Sequence, residues 1–155
     1  RSASDILCEF YAYRLIYLHN IFLFIIKVIE ASHNFDLLAA DCVLHLKKKY
    51  PDIRLILVLP CHGQTKYWSD KEIRKYNKIK KKADKVVFTS EQYYNGCMQK
   101  RNRHLADNSS LCICYLTKNA GGTAYTVNYA ERHGLETVNV SAPVLLTKPT
   151  ENAII

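Results

Sequence analysis

Four short runs of aliphatic and β-branched residues constrain this chain more than anything else in it. They are residues 54–59 (RLILVL), 85–89 (KVVFT), 111–116 (LCICYL) and 136–140 (ETVNV), and segments of helical length separate them. Runs this short, bounded by turn-forming residues, read as strands. The near-continuous apolar character of RLILVL suits a strand covered on both faces. The intervening segments carry helix signals. Asp36 can cap a helix with Leu38, Cys42, Val43 and Leu46 on one face, stopped by Lys47, Lys48, Lys49 and then Pro51. Ser69 and Glu72 form a capping box ahead of Ile73, Tyr76, Ile79 and Ala83. Residues 97–107 read as a third helix, and Thr123 opens a fourth, with Ala124, Val127 and Ala130 at helical spacing and Gly134 as its stop. Strands that alternate with helices predict an α/β fold: a three-layer parallel sheet with helices on both faces.

In such sheets ligands bind beyond the carboxyl ends of the strands. His62, Gln64, Ser90, Arg101, Arg103, Gly121, Gly122 and Thr123 all lie in or after such ends. The stretch 111–134 is the most specific, because a strand, a Gly-Gly turn and a helix aim free N–H groups and a helix dipole at an anion. Adjacent glycines let that backbone approach a phosphate without a Cβ between them. The plain alternative is a connecting loop. Lys100, Arg101 and Arg103 can reach a phosphate at the same edge or form an exposed basic face. The same two readings apply to Lys71, Lys75, Lys78, Lys81 and Lys82, where a solvated face is the simpler one. A net charge of +8 favours an acidic ligand such as a nucleotide or nucleic acid, although a solvated basic face produces the same number.

At 155 residues the chain supports one domain with a real core. Cys8, Cys42, Cys61, Cys97, Cys112 and Cys114 show no disulfide framework and no C-x-x-C pair, which points to a reducing, cytoplasmic setting. No metal site is expected. Residues 1–30 stand apart. The apolar segment 15–29 falls short of the roughly 20 residues of a membrane span and exceeds ordinary strand length. It is expected to be a helix, buried or seeking a partner, with membrane contact as the alternative. Residues 31–142 form the domain and residues 143–155 an irregular tail. A first residue other than Met is what a fragment or partial reading frame would show.

The blocks FDLLAADCVLHLKKKYPDIRLILVLPC, QTKYWSDKEIRKYNKIKKKADKVVFTSEQY, GCMQKRNRHLADNSSLCICYL and GGTAYTVNYAERHGL resemble, in order and spacing, the YpsA-like family of bacterial proteins. The resemblance covers about residues 35–140. That family belongs to the SLOG superfamily, with the DprA-type DNA-processing proteins and the LOG cytokinin-activating enzymes. It implies a Rossmann-like fold that binds a nucleotide or nucleotide-derived ligand, acting as a regulatory or sensing module. Gly121, Gly122, Thr123, Arg101, Asn102, Arg103, Asp36 and Ser90 are the site residues that follow. Arg101-Asn102-Arg103 is similar to the R-N-R run of DprA-type proteins. LOG enzymes carry a glutamate three residues after the threonine of their glycine motif, and Thr126 stands there in this chain, so catalysis is open and no catalytic residue follows. The family's glycine-rich turn ahead of Phe35 is replaced by Ala31, Ser32, His33 and Asn34, and the first strand is expected to be missing or replaced by a helix. Two other functions stay open. One is a hydrolase of N-glycosidic or phosphate bonds using Asp36, His62 or Asp107. The other is single-strand DNA binding through the lysine-rich helix. No cofactor beyond the nucleotide is expected, and a homodimer is an open possibility.

Overall fold

The computed structural model of the chain describes residues 25–28 and 33–141. In order the elements are β1 (Ile25–Val28), α1 (His33–Leu46), β2 (Arg54–Leu59), α2 (Asp70–Lys80), β3 (Lys85–Phe88), α3 (Cys97–Asp107), β4 (Leu111–Cys114), α4 (Gly122–Arg132) and β5 (Glu136–Asn139). The chain is an α/β alternation, and every strand pairing in it is parallel. β2 lies between β1 and β3, with Leu57 opposite Val28 on one side and Val86 on the other. β4 and β5 form a second ladder, with Cys112 opposite Thr137.

β1 is the clearest correction to the sequence reading. Residues 25–28 are a strand, not part of a helix, so the first strand is present. Strand length was a poor guide there, because β2 offers an open edge of N–H and C=O groups that a neighbouring strand satisfies. Residues 15–24 and the tail from 142 lie outside the described residues. α1 also begins earlier than expected. Its first residue is His33, which puts Asp36 inside the opening turn and not at the cap. The cysteines need a smaller correction. Cys61, Cys97, Cys112 and Cys114 are free and buried, as small hydrophobes are, but Cys42 is disulfide-bonded, which spacing alone does not reveal.

Two apolar clusters hold the elements. In the first, Leu37, Ala40 and Val43 of α1 meet Leu55, Leu57 and Leu59 of β2 and Tyr76 and Ile79 of α2. In the second, Ala106 of α3 packs with Cys112, Cys114, Val127 and Ala130. The capping box at Ser69 is complete: the Ser69 N–H donates to Glu72 Oε2 at 2.8 Å, and the Glu72 N–H returns to Ser69 Oγ.

Opposite the candidate site, one carboxylate ties three segments together. Asp84 precedes β3 and accepts from the Leu55 N–H at 2.8 Å, from Lys47 Nζ at 2.6 Å and from Arg54 Nη1 at 3.3 Å. The Lys47 hydrogen bond and then the Leu55 amide hold its carboxyl well below the usual 3.8, at about 2. The folded pKa is depressed, so this stabilisation is complete above about pH 4 and is lost as pH falls toward 2. Asp84→Ala should cost about 1–2 kcal/mol at neutral pH, discounted for partial solvation. Urea unfolding at pH 7 and pH 3 checks it, and the variant should lose part of the acid sensitivity of the parent.

Candidate functional site

After β4 the chain passes through Gly121, at φ 95°, into α4 at Gly122. That backbone angle suits glycine and strains a residue with a Cβ. No side chain caps the helix. Its first backbone hydrogen bond runs from the Tyr125 N–H to the Gly121 carbonyl at 3.0 Å. The N–H groups of Gly122, Thr123 and Ala124 therefore have no acceptor within the helix. A Cβ built at Gly121 or Gly122 would meet no atom within 4 Å beyond its chain neighbours and, at Gly122, the nearby helix backbone, and both glycines are exposed, so the turn is open to a ligand. Thr123 is half-buried beside them. Thr126 turns the other way: it is buried, and its hydroxyl donates to the Gly122 carbonyl at 2.9 Å.

α3 enters the same edge. It follows Gly96, at φ 102°, and also lacks a side-chain cap. The thiols of Cys97 and Cys61 are hydrogen-bonded, which places the start of α3 at the carboxyl end of β2. Arg103 Nη1 donates to the Tyr125 hydroxyl at 2.9 Å, and the Tyr129 hydroxyl donates to Asp107 Oδ1 at 2.9 Å. The partners advance by four residues on both helices, so α3 and α4 run in the same direction. Their starts, and with them the carboxyl ends of β2 and β4, share one side of the molecule.

The expected site residues distribute unevenly over this edge. Arg101 and Arg103, two positions apart on a helix, point about 200° apart. Arg101 is 1% exposed, under the edge. It lines a cavity of about 40 Å³ together with Gln64, Leu57, Leu59 and Trp68. Arg103 is exposed on the seam with α4. The two therefore do not both face one phosphate at this edge, as the sequence reading expected. Asn102, on the same helix, is also buried. Asp36 lies in the first turn of α1, and Ser90 just past β3. Among the described residues, the amide of Gln64, the Ser90 hydroxyl and Asn102 Oδ1 are buried without a hydrogen-bond partner. Such groups each cost stability unless something supplies the missing bond.

Two of the buried thiols are held toward their neutral form. Burial, and then Cys97, push the Cys61 thiol up, and burial raises Cys112 to about 11. His62 stacks on Phe88 at 3.8 Å between ring centres. Among the described residues no group of three or more His, Cys, Asp or Glu side chains is placed to hold a metal ion. Sequence reasoning missed the tyrosines that crowd this edge. Their signal was visible in Tyr67, Tyr93, Tyr94 and Tyr115, one or two of which follow each of β2, β3 and β4.

Comparison with known proteins gives a family. The model of YpsA, described as the YspA SLOG family, matches residues 23–143. The match begins ahead of β1, in agreement with the strand found there. The chain is 29% identical over 109 residues to the uncharacterized SPbeta prophage-derived protein YoqJ of Bacillus subtilis, covering 63% of this chain and 64% of that protein. It is 35% identical over 72 residues to a UPF0398 protein of Staphylococcus epidermidis, covering 46% and 38%. It is 24% identical over 108 residues to the UPF0398 protein YpsA of Bacillus subtilis, covering 68% and 60%. The matched parts thus span between 38% and 64% of these relatives. Among the described residues no helix is long and apolar enough to cross a membrane.

Proposed function

The chain belongs to the YspA SLOG family, and from that premise we propose that it binds a nucleotide or nucleotide-derived ligand as a regulatory or sensing module. The observation that carries this reading is the start of α4. Three backbone donors there have no helical acceptor, no side chain caps them, and the space in front of Gly121 and Gly122 is open. A phosphate in that space accepts hydrogen bonds from the backbone and lies at the positive end of the helix dipole.

The same proposal includes the full sheet. β1 and β4 are each paired on one side only among the described residues. Setting them side by side gives the order β3-β2-β1-β4-β5, a three-layer Rossmann-like arrangement with helices on both faces. Its strand order reverses between β1 and β4, where ligands of such sheets bind, and the α4 start adjoins that point. Binding without turnover is the simpler reading. Thr126 stands where LOG-type enzymes carry their glutamate, and its hydroxyl is spent on the Gly122 carbonyl.

Thermal denaturation with a panel of nucleotides tests the proposal. At a concentration about 100-fold above Kd, the bound nucleotide should raise Tm by roughly 5–10 °C. Product analysis in the same samples should show the nucleotide intact. A flat response across mono-, di- and triphosphates would remove the basis of the reading.

A further inference from the structure

The large apolar side chains exposed among the described residues are Tyr67, Tyr93, Tyr94, Met98, Tyr115 and Tyr125, and they are 37–88% exposed. All six lie in the loops after β2, β3 and β4 or in the first turns of α3 and α4. Rings left in water on one edge of a small domain mark a contact surface. Two of them flank the α3–α4 seam. Tyr125 is in the first turn of α4, so its Cα lies about 5 Å along the helix axis from Gly122. Tyr94 sits against Gly96, 3.9 Å from where a Cβ would stand. Arg103 joins Tyr125, donating to its hydroxyl at 2.9 Å, and Tyr94 and Tyr129 contribute to the electrostatic surroundings of its guanidinium.

On the reading that the α4 start takes the phosphate, we propose that this α3–α4 seam is the nucleobase subsite, with a guanine ring on Tyr125 and Tyr94 and its acceptor edge facing Arg103. The chemistry follows from the three side chains. A tyrosine face stacks any base, so the rings supply affinity without discrimination. The guanidinium supplies the discrimination. One nitrogen is held by Tyr125, which fixes the fork and leaves its other donors for two adjacent acceptors, as guanine O6 and N7 present. Adenine offers a donor beside its N7 and would set N–H against N–H. The position of Arg103 fits this role better than a phosphate contact. It pairs with the turn of α4 that follows the glycines, on the outer face of the seam, while the free amides point out of the end of the helix.

Calorimetric titration of the full chain with GDP, ADP and inorganic pyrophosphate tests the subsite. GDP should bind about tenfold or more tighter than ADP, and both tighter than pyrophosphate. Tyr125→Ala should weaken GDP by about ten- to one-hundred-fold and leave pyrophosphate unchanged. Arg103→Gln should bring GDP down to the level of ADP. Both side chains are solvent-facing, and unchanged melting curves would confirm that the variants fold. GDP binding no tighter than pyrophosphate, or a Tyr125→Ala variant that binds GDP as the parent does, would overturn the subsite and leave the phosphate reading standing. Failure of all three ligands, pyrophosphate included, would overturn the phosphate reading and the subsite with it.

Discussion

Gly122→Val should abolish nucleotide binding and leave the fold intact. Gly122 opens α4, and a Cβ there meets no protein atom within 4 Å. The branched side chain therefore occupies the volume proposed for the phosphate without striking the protein. Charge-assisted hydrogen bonds contribute about 1.5–3 kcal/mol each. Losing two of them weakens binding by at least about one-hundred-fold. Stability should move by no more than about 1 kcal/mol, because valine is no worse than glycine in a helix. Gly121 is a poorer site for the experiment. Its φ of 95° would strain a β-branched residue, so lost binding could reflect a displaced loop. Titration and thermal melting on the same preparation read both quantities. Nucleotide affinity equal to the parent's would place the phosphate elsewhere.

Arg101→Ala should unfold more readily than the parent, by about 2–4 kcal/mol. From the sequence, Arg101 looks like a phosphate contact whose loss would spare the fold. The structure makes it interior: it is 1% exposed, among the largest fully buried side chains. Its stem lies along the cavity shared with Leu57, Leu59 and Gln64, and Nη2 sits 4.0 Å from Met98 Sδ. Truncation enlarges that cavity and removes packing as well as charge. Urea unfolding should show a lower midpoint at an unchanged slope. Arg101→Met, which keeps most of the volume, should recover much of the loss, whereas Arg103→Gln on the exposed seam should stay within about 0.5 kcal/mol. Equal midpoints for Arg101→Ala and the parent would show that the side chain contributes nothing to the core.

The elements were legible where local signals agree. RLILVL became β2 over the expected residues, and Ser69 with Glu72 started α2 as a capping box must. The α3 boundaries also agree, and Gly134, at φ 74°, follows the end of α4. The strands expected over 85–89, 111–116 and 136–140 each end one or two residues sooner, although the Thr89 and Val140 N–H groups still bond the Leu59 and Cys114 carbonyls of their neighbours. The inner face of α1 was only partly read. Leu37, Ala40 and Val43 are its buried stripe, and a window that starts at Asp36 shifts that phase.

The sequence alone determined the alternation of strands and helices, the glycine turn into α4 and the family, because each depends on residues close together in the chain: apolar period, cap chemistry and the left-handed freedom of glycine. Tertiary structure alone decided the rest. It made residues 25–28 a strand, because the open edge of β2 supplies partners that lie almost thirty residues away. It sent Arg101 inward and Arg103 outward, because a helix turns about 100° per residue and only packing against β2 and α4 says which side is the core. It brought Arg103 and Tyr125 together, because two helices that run side by side in the same direction pair residues whatever the distance between them in sequence.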